Sequence, residues 1–473
     1  MKLNYPVLGL SIILVALIGG CVQQENFTPE GFDKKSNQSQ VEIQEPVGEK
    51  GLGTLCSNEE ECGSFCLNNR GRCEDYCRGR GIELSKIIFP PGEEFIETKE
   101  MVKEGTDSQQ FKYKNILDKD WSHGQCKGNG TVNFGAAPMS PEDILVIIPM
   151  GDMIGGHVTP IDHMYIYPIK SRPVNIYAPA NGNLVYVSTS GRFVGQKDFV
   201  QTYTLMFEHT CDFYTLFGLL DDVSPKIKEQ IGTMGEAGQK HVRIPVREGE
   251  VVGTILFGQS LDYNILYTQA SPKQWVFPEH YTELGKKFIV DPFDYYIEPV
   301  KSQLLGKNLR SALPVGGKFD YDIDGTLSGS WFEEGTNWYE GLPNVKSSFG
   351  EYWKTHISFS SDPVDPNFFV ISLGNFDGEA MQFGAKGNSP KPEEVKSELV
   401  KYDLVEKGYV DSSGKEWGFG PAVKGLHVDH GREIKGVVLV QLLENKKLKF
   451  ELFPGKTASQ VSGFTENAKI YER

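Results

Sequence analysis

Basic residues are in deficit: 48 Lys and Arg stand against 63 Asp and Glu, a formal net charge of −15. That deficit argues against nucleic acid and against the headgroups of an anionic membrane as partners. Beyond Ile18 no apolar run is long enough to cross a bilayer as a helix. From Val22 to Lys50 there is no Leu, Trp, Tyr or Cys. Such a stretch cannot bury enough apolar surface to offset its ordering entropy, which excludes a folded domain there. The cysteine-rich segment from Cys56 to Cys77 contains no histidine, which disfavours a zinc knuckle.

What is present at the N-terminus points to export. Lys2 precedes an apolar run from Val7 to Ile18, too short for a mature transmembrane helix but suited to a signal peptide. The run ends in "LIGGC", which resembles a lipobox with Cys21 as the lipidated residue; the competing reading is an uncleaved anchor helix. Both place the rest of the chain outside the cytoplasm, on the extracytoplasmic face of a membrane. Residues 22–50 then read as a tether. Asn26, Asn37 and Asn129 lie in N-x-S/T sequons, which matter only in a host that glycosylates.

Cys62 and Cys66 are four apart, as are Cys73 and Cys77, so each pair shares one helix face. Two short helices joined by "LNNRGR" would form a hairpin stapled by Cys62–Cys77 and Cys66–Cys73, the bridges standing in for a core. Cys56, Cys126 and Cys211 are left over; one stays free or pairs between chains, and Cys56–Cys126 is one arrangement.

The fold is expected to be mainly β. "ILVIIPM", "NLVYVS", "TYTLMFEH" and "DFYTLFGLL" are strand-like, with a short helix around Ser224 to Ile231, giving an antiparallel β sandwich or barrel. His163 stands upstream of "IYAPANG", which begins at Ile176. "LMFEHTCDFYTLFGLL" carries His209 and Thr215, and Gly249 through Gly253 close the series. In that order the three pieces resemble the lysostaphin-type, or LytM-like, zinc peptidases, which fold as a duplicated hybrid motif and cut peptide cross-links in cell walls. The resemblance covers only the middle of the chain.

Carried over position by position, the resemblance makes His163 the first zinc ligand. The family's aspartate falls on Tyr167, a poor ligand while its phenol is protonated. One catalytic histidine falls on Leu219, and the H-x-H pair falls on Ser260 and Asp262. The standard site is therefore not assembled. A rebuilt zinc site would draw on His157, Asp162, His163 and Asp262, enough donors in kind. Asp162 and His163 are adjacent, however, and share an ion only if the chain bends. Otherwise His157 and Asp162 brace the loop, and His163 and His209 are structural.

From about Gly306 onward, "THISFSS", "FFVISLG", "LVKYDLV", "GVVLVQLL" and "KLKFELF" predict a second β unit, a barrel or sandwich, with "ENK" as a hairpin turn and a helix in "EEVKSEL". His427, Asp429 and His430 read as a polar turn rather than a metal cluster. Trp331, Phe332, Trp338, Tyr339, Tyr352 and Trp353 are dense enough to stack on sugars, but in a β domain they more often fill the core.

The expected organisation is a lipoprotein signal peptide (1–21), tether (22–50), Cys-rich hairpin (51–85), connecting segment (86–143), peptidase-like β domain (144–305) and C-terminal β-rich domain (306–473). The leading expectation is a membrane-anchored, non-catalytic binding protein for an envelope glycan, peptide or protein, with no cofactor. The alternative is a divergent zinc hydrolase, and a structural spacer is a third reading. Cys21→Ala should move the protein to the soluble fraction, because one short apolar run without lipid holds a membrane weakly. Retention of the variant in the membrane with its leader uncleaved would mean a true anchor helix.

Overall fold

The computed structural model describes residues 125–473, except 170–171, 195–197, 257–258, 272, 274, 282–283 and 343–351. Cys21, Asn26, Asn37, Cys56, Cys62, Cys66, Cys73 and Cys77 lie outside the described residues. Asn129 is described and exposed.

Apolar alternation builds the first half. Its strands are β1 (Ile144–Ile148), β2 (Met164–Pro168), β3 (Val174–Tyr177), β4 (Gly182–Val194), β5 (Asp198–Glu208), β6 (Phe213–Leu220), β7 (Asp222–Val223), β8 (Gln239–Val246), β9 (Val251–Ile255), β10 (Leu261–Tyr267) and β11 (Ile289–Val290). One antiparallel sheet runs β1-β2-β10-β6-β5-β4-β8, with β11 beside β10; a second runs β3-β9-β7. Both feed one core, in which Leu261, Tyr263 and Ile265 of β10 meet Phe217, Leu205, Ile176 and Val252. Each such buried side chain contributes roughly 1.5–3 kcal/mol. The expected short helix is α1 (Pro225–Ile231): Pro225 opens it, Ile227 and Ile231 bury one face, and Gly232 ends it at φ 60°. A second helix, α2 (Val300–Lys307), joins the halves and was not foreseen.

The second half closes on itself. β12 (Gly329–Glu333), β13 (His356–Ser361), β14 (Phe369–Phe376), β15 (Glu379–Ala385), β16 (Val400–Val410), β17 (His427–Leu443), β18 (Lys447–Pro454) and β19 (Lys469–Glu472) form a barrel in chain order. Pairing of Phe332 with Glu472 and Glu333 with Tyr471 closes it, so no sheet edge is left open. Trp331, Ile357, Phe359, Ile371, Phe383, Tyr402 and Val438 fill the interior. The alternate positions Ser330, Ser358, Ser372 and Gln382 stand opposite one another across four strands. The three serines are nonetheless buried, so this outer face is covered.

Two expectations fail here. His427 to His430 are strand, not turn: β16 is long enough to pair Val410 with His427 and Gly408 with Asp429. Asp429 is exposed, and His430 lies 6.0 Å from the Phe368 ring. "EEVKSEL" forms turns and bends rather than a helix, because only its Val395 reaches the core, too narrow a stripe to hold a helix. "ENK" does join β17 to β18. Of the dense aromatics, Trp331, Phe332 and Tyr339 are buried while Trp338 is exposed.

Cys126 is bonded to Cys211, with Cα atoms 5.1 Å apart at a sequence separation of 85, so Cys126 is not the partner of Cys56. Around the bridge the Cys211 N–H donates to the Gly128 carbonyl and the Thr210 hydroxyl to the Gly130 carbonyl. In the chain-entropy account such a loop is worth about 4–5 kcal/mol. Cys211→Ser should lower the unfolding free energy in urea by about that amount, and peptide mapping without reductant should recover the linked pair. Free thiols at both positions in exported protein would overturn the bridge.

Candidate functional site

The loop from Gly151 to Asp162 delivers the site. The Gly151 N–H donates to the Ile161 carbonyl and Ile161 N–H to the Asp152 carbonyl, while Ile154 and His157 exchange backbone bonds. Gly151 has φ 94°, and a Cβ there would fall 2.0 Å from the Lys318 carbonyl oxygen, so only glycine fits. The chain bends at Asp162 and His163 and enters β2 at Met164. The bend undoes the opposition expected of adjacent strand residues: the Asp162 carboxylate lies 3.0 Å from His163 Nδ1. With its proton there, the ring donates to Asp162 and presents Nε2 forward.

What Nε2 faces is set by pairing. β10 lies between β2 and β6, with Asp262 opposite Tyr165 on one side and Gly218 on the other. Asp262 Oδ2 stands 3.7 Å from His163 Nε2. A Cβ on Gly218 would lie 3.3 Å from that oxygen, so the glycine leaves the carboxylate its space. Leu219 follows at φ 61°, a left-handed conformation that costs a branched residue about 1–2 kcal/mol. Tyr165 packs edge-on to His163 at 5.1 Å, and Tyr167 lies 6.3 Å further along the same face.

The electrostatics follow burial. Burial first, then the charges of Asp152 and Asp262, push the Tyr167 phenol up, so it stays a neutral hydroxyl, beside Ser260. Burial and then Asp262 do the same to Tyr165. His157, 6.1 Å from the His163 ring, is held down to about 3 by burial, with His163 and Lys286 adding to it. His157 is therefore a neutral imidazole.

The resemblance implies a zinc ion, and the donors can be tested against it. Asp162 occupies Nδ1, so only Nε2 of the ring is left for an ion, and the Asp262 carboxylate 3.7 Å from it is the one other donor nearby among the described residues. Tyr167 offers no anion and Leu219 no nitrogen. Among the described residues no three His, Cys, Asp or Glu side chains converge to hold a metal. The arrangement does not fit a three-ligand catalytic zinc. It is a line of pairwise contacts, carboxylate to imidazole to carboxylate.

The barrel grips this loop. The Gly155 N–H donates to Gln382 Oε1, and Gln382 Nε2 donates to the Gly155 carbonyl, both at 2.9 Å. Gly156 lies so close to the Trp353 ring that a Cβ would clash with it. Beyond Asp152, Lys407 pairs with the fully buried Asp362 at 2.9 Å, and the Tyr409 hydroxyl donates to the same carboxylate. Burial pushes the Asp152 carboxyl up, partly offset by Lys407.

Sequence reasoning found His157, Asp162, His163 and Asp262 but missed Tyr165 and Asn264, which period-two alternation from His163 and from Asp262 would have placed on the same face. Asp152, Lys407 and Asp362 carried no local signal. His209 ties neighbouring segments together: its Nδ1 donates to the Asn181 carbonyl at 2.8 Å and its Nε2 accepts from the Thr215 hydroxyl at 3.0 Å. No protein-family model matches the chain, and no curated protein matches it.

Three histidines, His356 buried and His157 and His209 half-buried, set a pH dependence. Burial holds His157 and His356 to about 3 and His209 to about 4. Below their unfolded value near 6.5 the unfolded chain binds protons that the native state does not, so stability falls with falling pH from there toward pH 3–4. Each contributes a slope of up to about 1.4 kcal/mol per pH unit. Urea unfolding of wild type and His209→Gln from pH 7.5 to 4.5 should give a shallower acid loss in the variant; equal slopes would show that burial does not hold this imidazole neutral.

Proposed function

We propose that the chain is a lipid-anchored, extracytoplasmic binding protein in which a LytM-like fold is kept and the peptidase chemistry is lost. Its ligand would be a peptide, glycan or protein of the cell envelope. The observation that supports this reading is a neutral phenol at Tyr167 and an apolar side chain at Leu219, where the resemblance calls for a zinc ligand and a catalytic histidine. The Cys126–Cys211 bridge supports an oxidising compartment. A net charge of −15 supports a partner other than nucleic acid.

One observation favours the second reading, a divergent zinc hydrolase. An imidazole whose Nδ1 is held by a carboxylate is how metal-binding and proton-transferring histidines are oriented, and His157 is a neutral imidazole nearby. Metal analysis of the purified protein separates the two. In the binding reading, zinc reconstitution followed by desalting leaves no stoichiometric metal, and His163→Ala changes nothing in metal content. Stoichiometric zinc that disappears in His163→Ala would establish the hydrolase instead.

A further inference from the structure

The seam beside Asp152 holds a cluster that the His163 site does not use. Lys407 of β16 places its Nζ 2.9 Å from Oδ2 of Asp362, the residue after β13, at a sequence separation of 45. Asp362 is 0% exposed and the Lys407 side chain 14%. Other lysine–carboxylate pairs, Lys226–Glu250 and Lys469–Glu333 among them, keep the lysine in water. The two oxygens of Asp362 are held differently. Oδ1 accepts from the Val364 and Asp365 N–H groups, at 2.9 and 3.0 Å, while Oδ2 faces the ammonium. The Tyr409 hydroxyl donates to the same carboxylate, 3.0 and 2.9 Å from its oxygens. A carboxyl with one oxygen in a pair of backbone N–H groups and an amine beside the other has the parts that acyl transfer needs. Asp152 supplies a third group: Lys407 and Asp362 both act on its carboxyl, and burial pushes that carboxyl toward its neutral acid.

We propose that Lys407 and Asp362 condense into an intramolecular isopeptide bond, a covalent staple between β16 and the turn that follows β13. It goes beyond the binding reading and does not rest on it. The ammonium of Lys407 first gives one proton to Asp362 Oδ2, leaving a neutral amine and a carboxylic acid. A small swing of the flexible lysine stem carries Nζ to the face of the carboxyl carbon. The Nζ–Cγ bond forms, and the electron pair displaced onto Oδ1 is received by the Val364 and Asp365 N–H groups. Asp152 gives its proton to the Oδ2 hydroxyl and takes one from the nitrogen, acting as acid and then base. The Cγ–Oδ2 bond breaks, one water leaves, Asp152 is restored and the nitrogen keeps one hydrogen. No oxidant or other reactant enters. Burial favours the product, because two charges withdrawn from water are replaced by one neutral amide.

The test is peptide mapping of the full-length protein, denatured and reduced before proteolysis and read by mass spectrometry. Wild type should yield one branched peptide that joins the segments of Asp362 and Lys407 and weighs one water less than their sum, with no cleavage after Lys407. Lys407→Arg keeps the positive charge beside Asp362 but has no amine to acylate, and should yield the two segments as separate linear peptides. Asp152→Asn keeps the shape and removes the proton carrier, so the branched peptide should be lost or form slowly after purification. Recovery of Lys407 and Asp362 in separate linear peptides from wild type would overturn the isopeptide bond, whether or not either variant folds. A branched peptide in Asp152→Asn equal to that of wild type would overturn the part given to Asp152.

Discussion

β10 is hydrogen-bonded on both flanks, to β2 and to β6, and the site depends on that register. It sets Asp262 opposite Tyr165 and Gly218, brings the carboxylate to His163, and sends Leu261, Tyr263 and Ile265 into the core. A slip of one residue would turn Asp262 and Asn264 into the apolar core and three large apolar side chains onto the polar face, so the hydrophobic face enforces the polar one. The geometry of the polar groups is in this sense inherited from apolar packing on the reverse side of the strand.

The second constraint is the seam between the sheet and the barrel. Lys407 and Asp362 are almost wholly withdrawn from water, and breaking such a pair typically costs 3–5 kcal/mol, although a well-packed apolar replacement is often neutral. Both partners belong to the barrel, and it is their charges, felt at Asp152 of the first half, that cross the seam. Gln382 adds direction, because its amide matches the Gly155 peptide group as a neighbouring strand would. The loop carrying His157 and His163 is consequently held from both sides.

Much of the strand pattern was legible in the sequence, because runs such as Ile144–Ile148 and Val437–Val440 are apolar enough to need no context. The line of His163 and Asp262 was legible too, since alternation along β10 placed Ser260 and Asp262 outward. What could not be read were features made by distant segments. The choice of Cys211 for Cys126 depends on the turn between β5 and β6 coming alongside the entering chain. The seam around Asp152 depends on a barrel that begins some 170 residues later in sequence. His427 to His430 misled because their polarity suggests a turn, whereas the partner strand continues alongside them.

The bridge between Cys126 and Cys211 also defines a load path. Any pull applied through residues before Cys126 reaches the turn between β5 and β6 directly, through a covalent bond, and Phe134 and β1 lie outside that path. β1 is an edge strand that would otherwise be first to peel when the chain is drawn from its N-terminal side. Force arrives at interior strands hydrogen-bonded on both flanks, which must shear together rather than unzip one bond at a time.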